Sequence, residues 1–189
     1  MAIYIALLRA VNVGGKNKVP MAELRRVLEL AGFDRVVTYI QSGNVLFESG
    51  ENEGALRACI KRLILENFGV ETPVILRTAE ELQSLAESCP FSEEEIASAE
   101  AANTEGESLY VCLLDEPPGE RDAERLDALA GEDDLYRVRG RDMVLLLRHS
   151  IRHSKLAGSL AKLSAEGTVR NWKTVTRLAE LATGPKDAR

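Results

Sequence analysis

The sequence holds little of what redox, metal or covalent chemistry usually needs. His149 and His153 are its whole supply of histidine. They stand four residues apart with no third ligand beside them, so a metal centre is not expected. Cys59, Cys89 and Cys112 are odd in number, far apart and set among apolar residues. That pattern excludes a disulfide scaffold and fits free thiols in a reducing cytoplasm. Aromatic residues make up only 5% of the chain, which leaves few platforms for stacking on nucleic-acid bases. No apolar run approaches the roughly 20 residues of a membrane span. The opening Met1-Ala2-Ile3-Tyr4-Ile5 lacks both the basic stretch and the cleavage pattern of a secretory leader. The expectation is a protein of the cytoplasm with no membrane partner.

What is present is ordinary for a globular protein: 189 residues, 45% apolar and 29% charged, enough for one large domain or two small ones. The net charge of −6 conceals a segregation. Residues 1–78 carry +2, residues 79–135 carry −16 and residues 136–189 carry +8. This reads either as an acidic face balanced by a basic one or as a positive surface turned toward an anionic partner. A pI of 5.2 argues against a general nucleic-acid-binding domain.

Residues 3–8 form a near-continuous apolar run, as in a central strand. A turn with Gly14, Gly15, Lys16 and Lys18 leads to Pro20, which suits the first position of a helix carrying Met21, Leu24, Val27 and Leu28 inward. Val36–Ile40 and Val45–Phe47 read as a hairpin around Ser42-Gly43-Asn44. A helix with Leu56, Ile60, Leu63 and Ile64 on one stripe closes at Gly69, and Pro73–Leu76 is a short strand. The order strand, helix, strand, strand, helix, strand is the split βαβ pattern of a ferredoxin-like fold. In that topology the turn after the first strand, the hairpin and the loop 69–72 share one end of the sheet.

Thr78 and Glu81 have capping-box spacing at the head of another helix, which Pro90 ends. Residues 92–107 are acidic and alanine-rich and read as a short exposed helix plus loop. The strand order then recurs, with Leu109–Leu114, a helix carrying Leu126 and Leu129, and strands Leu135–Val138 and Met143–Leu147. Ser154 caps a helix with Leu156, Leu160 and Leu163. A last helix carries Trp172, Val175, Leu178 and Leu181 and stops at Gly184-Pro185. The repetition is one of architecture; no residue-level repeat is evident. The expected class is α+β with two ferredoxin-like subdomains, residues 1–78 and 108–189, joined by an acidic helical connector, 79–107.

Two stretches carry a resemblance. Leu7-Leu8-Arg9-Ala10-Val11-Asn12-Val13-Gly14-Gly15-Lys16, with Met21, Leu24 and Gln41-Ser42-Gly43-Asn44-Val45, resembles the opening of a bacterial family catalogued only as domain of unknown function 1697. Ser154-Lys155-Leu156 and Thr168-Val169-Arg170-Asn171-Trp172-Lys173-Thr174 resemble its closing motif. Arg148–His153 stands where that family has a glycine-containing turn. The resemblance implies two ferredoxin-like α+β subdomains in a soluble bacterial protein and implies no activity.

The turn after the first strand is the leading candidate site, with Arg9, Asn12, Gly14, Gly15 and Lys16 as its residues. Glycines there let a ligand approach the backbone, and a helix N-terminus favours an anion. Neither the Walker A spacing nor the Gly-x-Gly-x-x-Gly signature is present. Ser42, Gly43 and Asn44 join the site by topology, although the triplet is also ordinary turn chemistry. Ser42 has no histidine near it in sequence to act as a base, so no catalytic residue is assigned. Ser154, Lys155, Arg170 and Asn171 form a second anion-receiving candidate around two helix starts, with Trp172 as an anchor to the core. No cofactor is indicated. The leading expectation is an anionic small molecule, phosphorylated or carboxylated. Nucleic-acid binding through the basic last third and a protein partner for residues 92–107 are the alternatives.

Overall fold

In the computed structural model, which describes residues 1–184, the opening apolar run is strand β1 (Ala2–Leu8). It is followed by α1 (Met21–Leu30), β2 (Asp34–Tyr39), β3 (Asn44–Ser49), α2 (Glu53–Phe68) and β4 (Val74–Thr78). The four strands form one antiparallel sheet in the order β2-β3-β1-β4. Alternation along the strands sends Ala6, Leu8, Val45, Phe47, Val74 and Leu76 to one face. There they pack with Met21, Leu24, Val27 and Leu28 of α1 and Leu56, Ile60, Leu63 and Ile64 of α2. Each fully buried Leu or Ile contributes about 1.5–3 kcal/mol. The other face is also buried at Ile5, Leu7, Ile75 and Arg77. The ends of α2 follow local chemistry. Asn52 Oδ1 accepts from Ala55 N–H at 2.9 Å, and Gly69 takes a left-handed φ of 64° to close the helix.

Beyond β4 lie α3 (Ala79–Glu87) and α4 (Glu93–Ala102), then β5 (Leu109–Leu114), α5 (Glu120–Asp127), β6 (Asp134–Arg139) and β7 (Asp142–Leu147). Next come α6 (Lys155–Ser159), a 3-10 turn (Leu160–Lys162), β8 (Gly167–Asn171) and α7 (Trp172–Thr183). The second sheet has the order β6-β7-β5-β8, which repeats the first. Its core joins Cys112, Leu114, Met143, Leu145 and Leu147 to Leu126 and Leu156. The fold is α+β with two ferredoxin-like sheets, as expected. Pro185, assigned to the stop of the last helix, lies outside the described residues.

Two local expectations change. Arg170, expected at a helix start, lies instead within the edge strand β8, paired antiparallel to β5 from Leu114↔Gly167 to Tyr110↔Asn171, and the helix starts only after Asn171. The β-branched Thr168 and Val169 suit that place. The helix capped by Ser154 is also shorter than its leucine spacing suggests, because Leu163 is already extended.

The registers further expose a residue-level correspondence between the halves. Tyr4 lies opposite Thr78 and Tyr110 opposite Asn171. A buried arginine, Arg77 or Arg170, precedes each of these partners. Thr78 and Asn171 each accept a hydrogen bond from the third residue of the helix that follows, Glu81 and Thr174.

By contact density the chain divides into two units: Met1–Ser84 together with the segment from Thr176, and Leu85–Val175. Helix α7 thus begins in the second unit and ends in the first, where Leu181 and Ala182 line a cavity with Ile3, Val37 and Leu46.

In the second unit, Ser92 and Glu95 close a capping box on α4, and Arg137 of β6 reaches Glu95 at 2.7 Å. The Arg137 guanidinium also lies 4.3 Å from the centre of the Phe91 ring. Hydrogen bonding from Arg137, then from the Ser92 N–H, holds the Glu95 carboxyl down at about 2. The Tyr136 hydroxyl of β6 donates to Asp127 of α5 at 2.5 Å. Burial, then that carboxylate, push the phenol up to about 12.

Candidate functional site

The loop between β1 and α1 is a miniature hairpin. Val13 and Lys16 form a bridge, with Lys16 N–H donating to Val13 O at 3.0 Å. Gly14 and Gly15 reverse the chain with φ of 57° and 76°, the left-handed pair that a two-residue turn of this hand requires. Asn12 N–H donates to Asn17 O at 3.0 Å, and the Asn17 amide donates to Ala10 O at 3.1 Å.

The Asn12 side chain brackets the arrangement. Its Oδ1 accepts from Val19 N–H at 2.8 Å, and its Nδ2 donates to Val19 O and Gln41 O, each at 2.9 Å. Both amide protons of Asn12 are therefore engaged within the chain. One side chain ties the β1–α1 loop to the threshold of α1 and to the β2–β3 hairpin.

The neighbouring loops are fixed just as closely. Leu8 N–H donates to Gly43 O at 2.8 Å, and Arg9 N–H to Pro73 O at 3.2 Å. Thr72 Oγ1 donates to Arg9 O at 2.7 Å. Gly43 is buried with a φ of 81°, and a Cβ there would sit 2.6 Å from Val11 Cγ2 and 2.7 Å from Leu8 Cβ. Only glycine allows the hairpin to press this closely on β1. Asn44 is fully buried, and its Nδ2 donates to Tyr39 O and Ser42 Oγ. The structure thus gathers Arg9, Asn12, Gly14, Gly15, Lys16, Ser42, Gly43 and Asn44 at one end of the first sheet.

The electrostatics of this end differ from those of the rest of the unit. Arg25, Arg26, Arg35, Arg57 and Arg62 each pair with a glutamate. Among the described residues no ion pair reaches Arg9, Lys16 or Lys18. The three loops carry those cations against a single acid, Glu71. Helix α1 opens at Pro20 with no side-chain cap. Backbone strain gathers here as well: Ala10, Asn12, Asn17 and Ile40 all have φ between 49° and 57°. Such strain costs of order 1–3 kcal/mol per non-glycine residue and is common at ligand clamps.

The second candidate group lies in the second unit, and the structure spreads it out. Ser154 caps α6, accepting from Ala157 N–H at 2.9 Å and donating to Asp134 of the edge strand β6 at 2.6 Å. Lys155 is exposed. Arg170 and Asn171 lie on β8, the opposite edge of the same sheet, roughly 14 Å away by strand spacing. The Arg170 guanidinium is buried and donates to Thr168 Oγ1 and Val169 O; desolvation brings it down to about 10, so it stays charged at neutral pH. Asn171 caps α7, and Trp172 is half-buried.

Sequence reasoning did not foresee a cavity of about 350 Å³ in the second unit, lined by residues 102–105, His149, Ser150 and His153. Asn103 Nδ2 holds its two walls together through Glu107 O and His149 O. His149 Nε2 lies 3.8 Å from Asp133, and His153 Nε2 lies 3.7 Å from Glu105. Only the proximity of the two histidines in sequence pointed there. Among the described residues no three His, Cys, Asp or Glu side chains are placed to hold a metal ion.

The solved structure of the conserved bacterial protein SP0830 from Streptococcus pneumoniae resembles this chain with a TM-score of 0.72 at 23% identity. The likeness covers 97% of this chain and 99% of that one, and it is a likeness of fold. No curated protein matches the sequence. The family model described as a protein of unknown function, DUF1697, matches residues 1–143. That range contains the bracketed loops around Asn12 and Gly43 but not the group at Ser154 and Arg170. The chain belongs to the DUF1697 family.

Proposed function

We propose that this protein binds a small anionic molecule, phosphorylated or carboxylated, at the end of the first sheet. The observation that carries the reading is the set of Arg9, Lys16 and Lys18, without ion-pair partners among the described residues, on loops locked together by Asn12, Gly43 and Thr72. Loops held in advance need no backbone ordering when a ligand arrives, so less of the strength of each charge-assisted hydrogen bond is lost to that cost. The tight hairpin at Gly14-Gly15 projects Lys16, while the uncapped start of α1 adds a weaker positive field. The three free cysteines fit a reducing, cytoplasmic setting for such a ligand.

Isothermal titration with inorganic phosphate, simple phosphate monoesters and dicarboxylates tests the reading. A charge-assisted hydrogen bond is worth about 1.5–3 kcal/mol, so Arg9→Ala and Lys16→Ala should each weaken binding about 10- to 100-fold. The reading is lost if no anion binds or if both variants bind as the parent does. Tight oligonucleotide binding that falls steeply with added salt would move the assignment to nucleic acid instead.

A further inference from the structure

We infer that the ligand of this end of the sheet is a phosphate ester with an apolar body, and that Val13 and Ile40 receive that body. The inference rests on the anion reading above and extends it to the rest of the molecule bound. Val13 is 63% exposed and Ile40 is 49% exposed, two of six exposed large apolar residues among the described residues of the first unit. Single exposed apolar residues are ordinary; the placement of these two is not.

Val13 follows Asn12 and Ile40 precedes Gln41, and the Asn12 amide is bonded to Gln41 O at 2.9 Å. The two residues therefore stand one position from either end of the bond that joins the two loops. Arg9, Lys16 and Lys18 are on the same loops or immediately beside them. Apart from the flanking residues, no protein atom lies within 4 Å of a Cβ built at Gly14 or Gly15.

Ile40 adds an independent sign. It is β-branched yet holds a φ of 49°, a conformation that asparagine or glycine would adopt at less cost. Its side chain is not buried deeply enough for core packing to account for that choice. A ligand surface laid over Ile40 does account for it. The polar end of the same ligand then meets the cations, which matches an ester better than inorganic phosphate. Aliphatic walls accept an alkyl or aryl group with little discrimination, so the shared chemistry is the apolar phosphate ester, whether a soluble metabolite or a lipid headgroup with its proximal chain.

Titrations with inorganic phosphate, methyl phosphate and phenyl phosphate test this, with Ile40→Asn as the main variant. Asparagine relieves the strained backbone, so the variant should be at least as stable as the parent, and lost binding cannot be attributed to unfolding. Phenyl phosphate should bind the parent about tenfold tighter than methyl phosphate. Ile40→Asn, alone or with Val13→Ser, should erase that preference. Equal affinity of the parent for both esters overturns the inference while leaving the anion reading intact. A preference that survives both substitutions also overturns it. Absence of binding to phosphate and both esters overturns both. Co-sedimentation with phosphatidate vesicles, competed by phenyl phosphate and absent with phosphatidylcholine vesicles, identifies a lipid source; binding of the soluble ester alone identifies a metabolite.

Discussion

Replacing Gly43 by alanine tests whether the hairpin is held against β1 by close packing. The new methyl group would lie 2.6 Å from Val11 Cγ2 and 2.7 Å from Leu8 Cβ, at a backbone φ of 81°. Left-handed backbone in an alanine costs about 1–2 kcal/mol, and forcing a methyl into a filled site costs about 1–3 kcal/mol. Reduced freedom of the unfolded chain returns roughly 0.4–1 kcal/mol. The net loss is about 2–4 kcal/mol, a fall in Tm of about 5–15 °C for a chain of this size. Gly14→Ala is the internal control, since Gly14 has a φ of 57° but nothing within 4 Å of a Cβ; only the backbone part remains, about 1 kcal/mol. Gly50→Ala, with open space and no left-handed backbone, should be within about 0.5 kcal/mol of neutral. Urea unfolding followed by circular dichroism ranks the three. If Gly43→Ala loses no more than Gly14→Ala, the close approach of hairpin and strand is not what holds this end together.

Two further predictions concern titration in the second unit. The Glu95 carboxyl, held down by Arg137 and the Ser92 N–H, should titrate near 2 by carbon-detected NMR, and Arg137→Gln should move it toward the ordinary glutamate value of about 4.3. A depressed carboxyl contributes stability that is present above the unfolded pKa and lost as pH falls through about 2; an unmoved midpoint in the variant would discard the Arg137 contact. Tyr136, raised by burial and then by Asp127, should ionise near 12 in ultraviolet titration, and Asp127→Asn should lower that value. Its contribution is present below the unfolded pKa of about 10 and lost as pH rises toward the folded value.

Much of the first unit was legible because local chemistry and packing agree there. Gly69 ends α2, Thr78 and Glu81 exchange capping bonds, and the strand order follows from the hydrophobic pattern. The convergence of the glycine turn with Ser42-Gly43-Asn44 was legible through topology alone. The role of Gly14-Gly15 was not, because reversing a hairpin and cradling a ligand ask the same φ of glycine. Strand β8 was hidden by its length of five residues and by the strong helical period that begins at Trp172. The match between Tyr4 and Tyr110, or Arg77 and Arg170, escaped notice because the intervening elements differ in length. Helix α2 has 16 residues where α6 has five, so no constant offset relates the halves.

The division of α7 between the units has a consequence for how the protein is made. Residues 85–175 are an insertion within the first unit, whose own contacts resume only at Thr176. As the chain leaves the ribosome, all four strands of the first sheet emerge before the second unit, while Leu181 and Ala182 emerge only after it. Until then the surface formed by Ile3, Val37 and Leu46 lacks its late-arriving cover. A message cut short before residue 176 would therefore yield a sheet that is fully paired along its strands yet unfinished on one side.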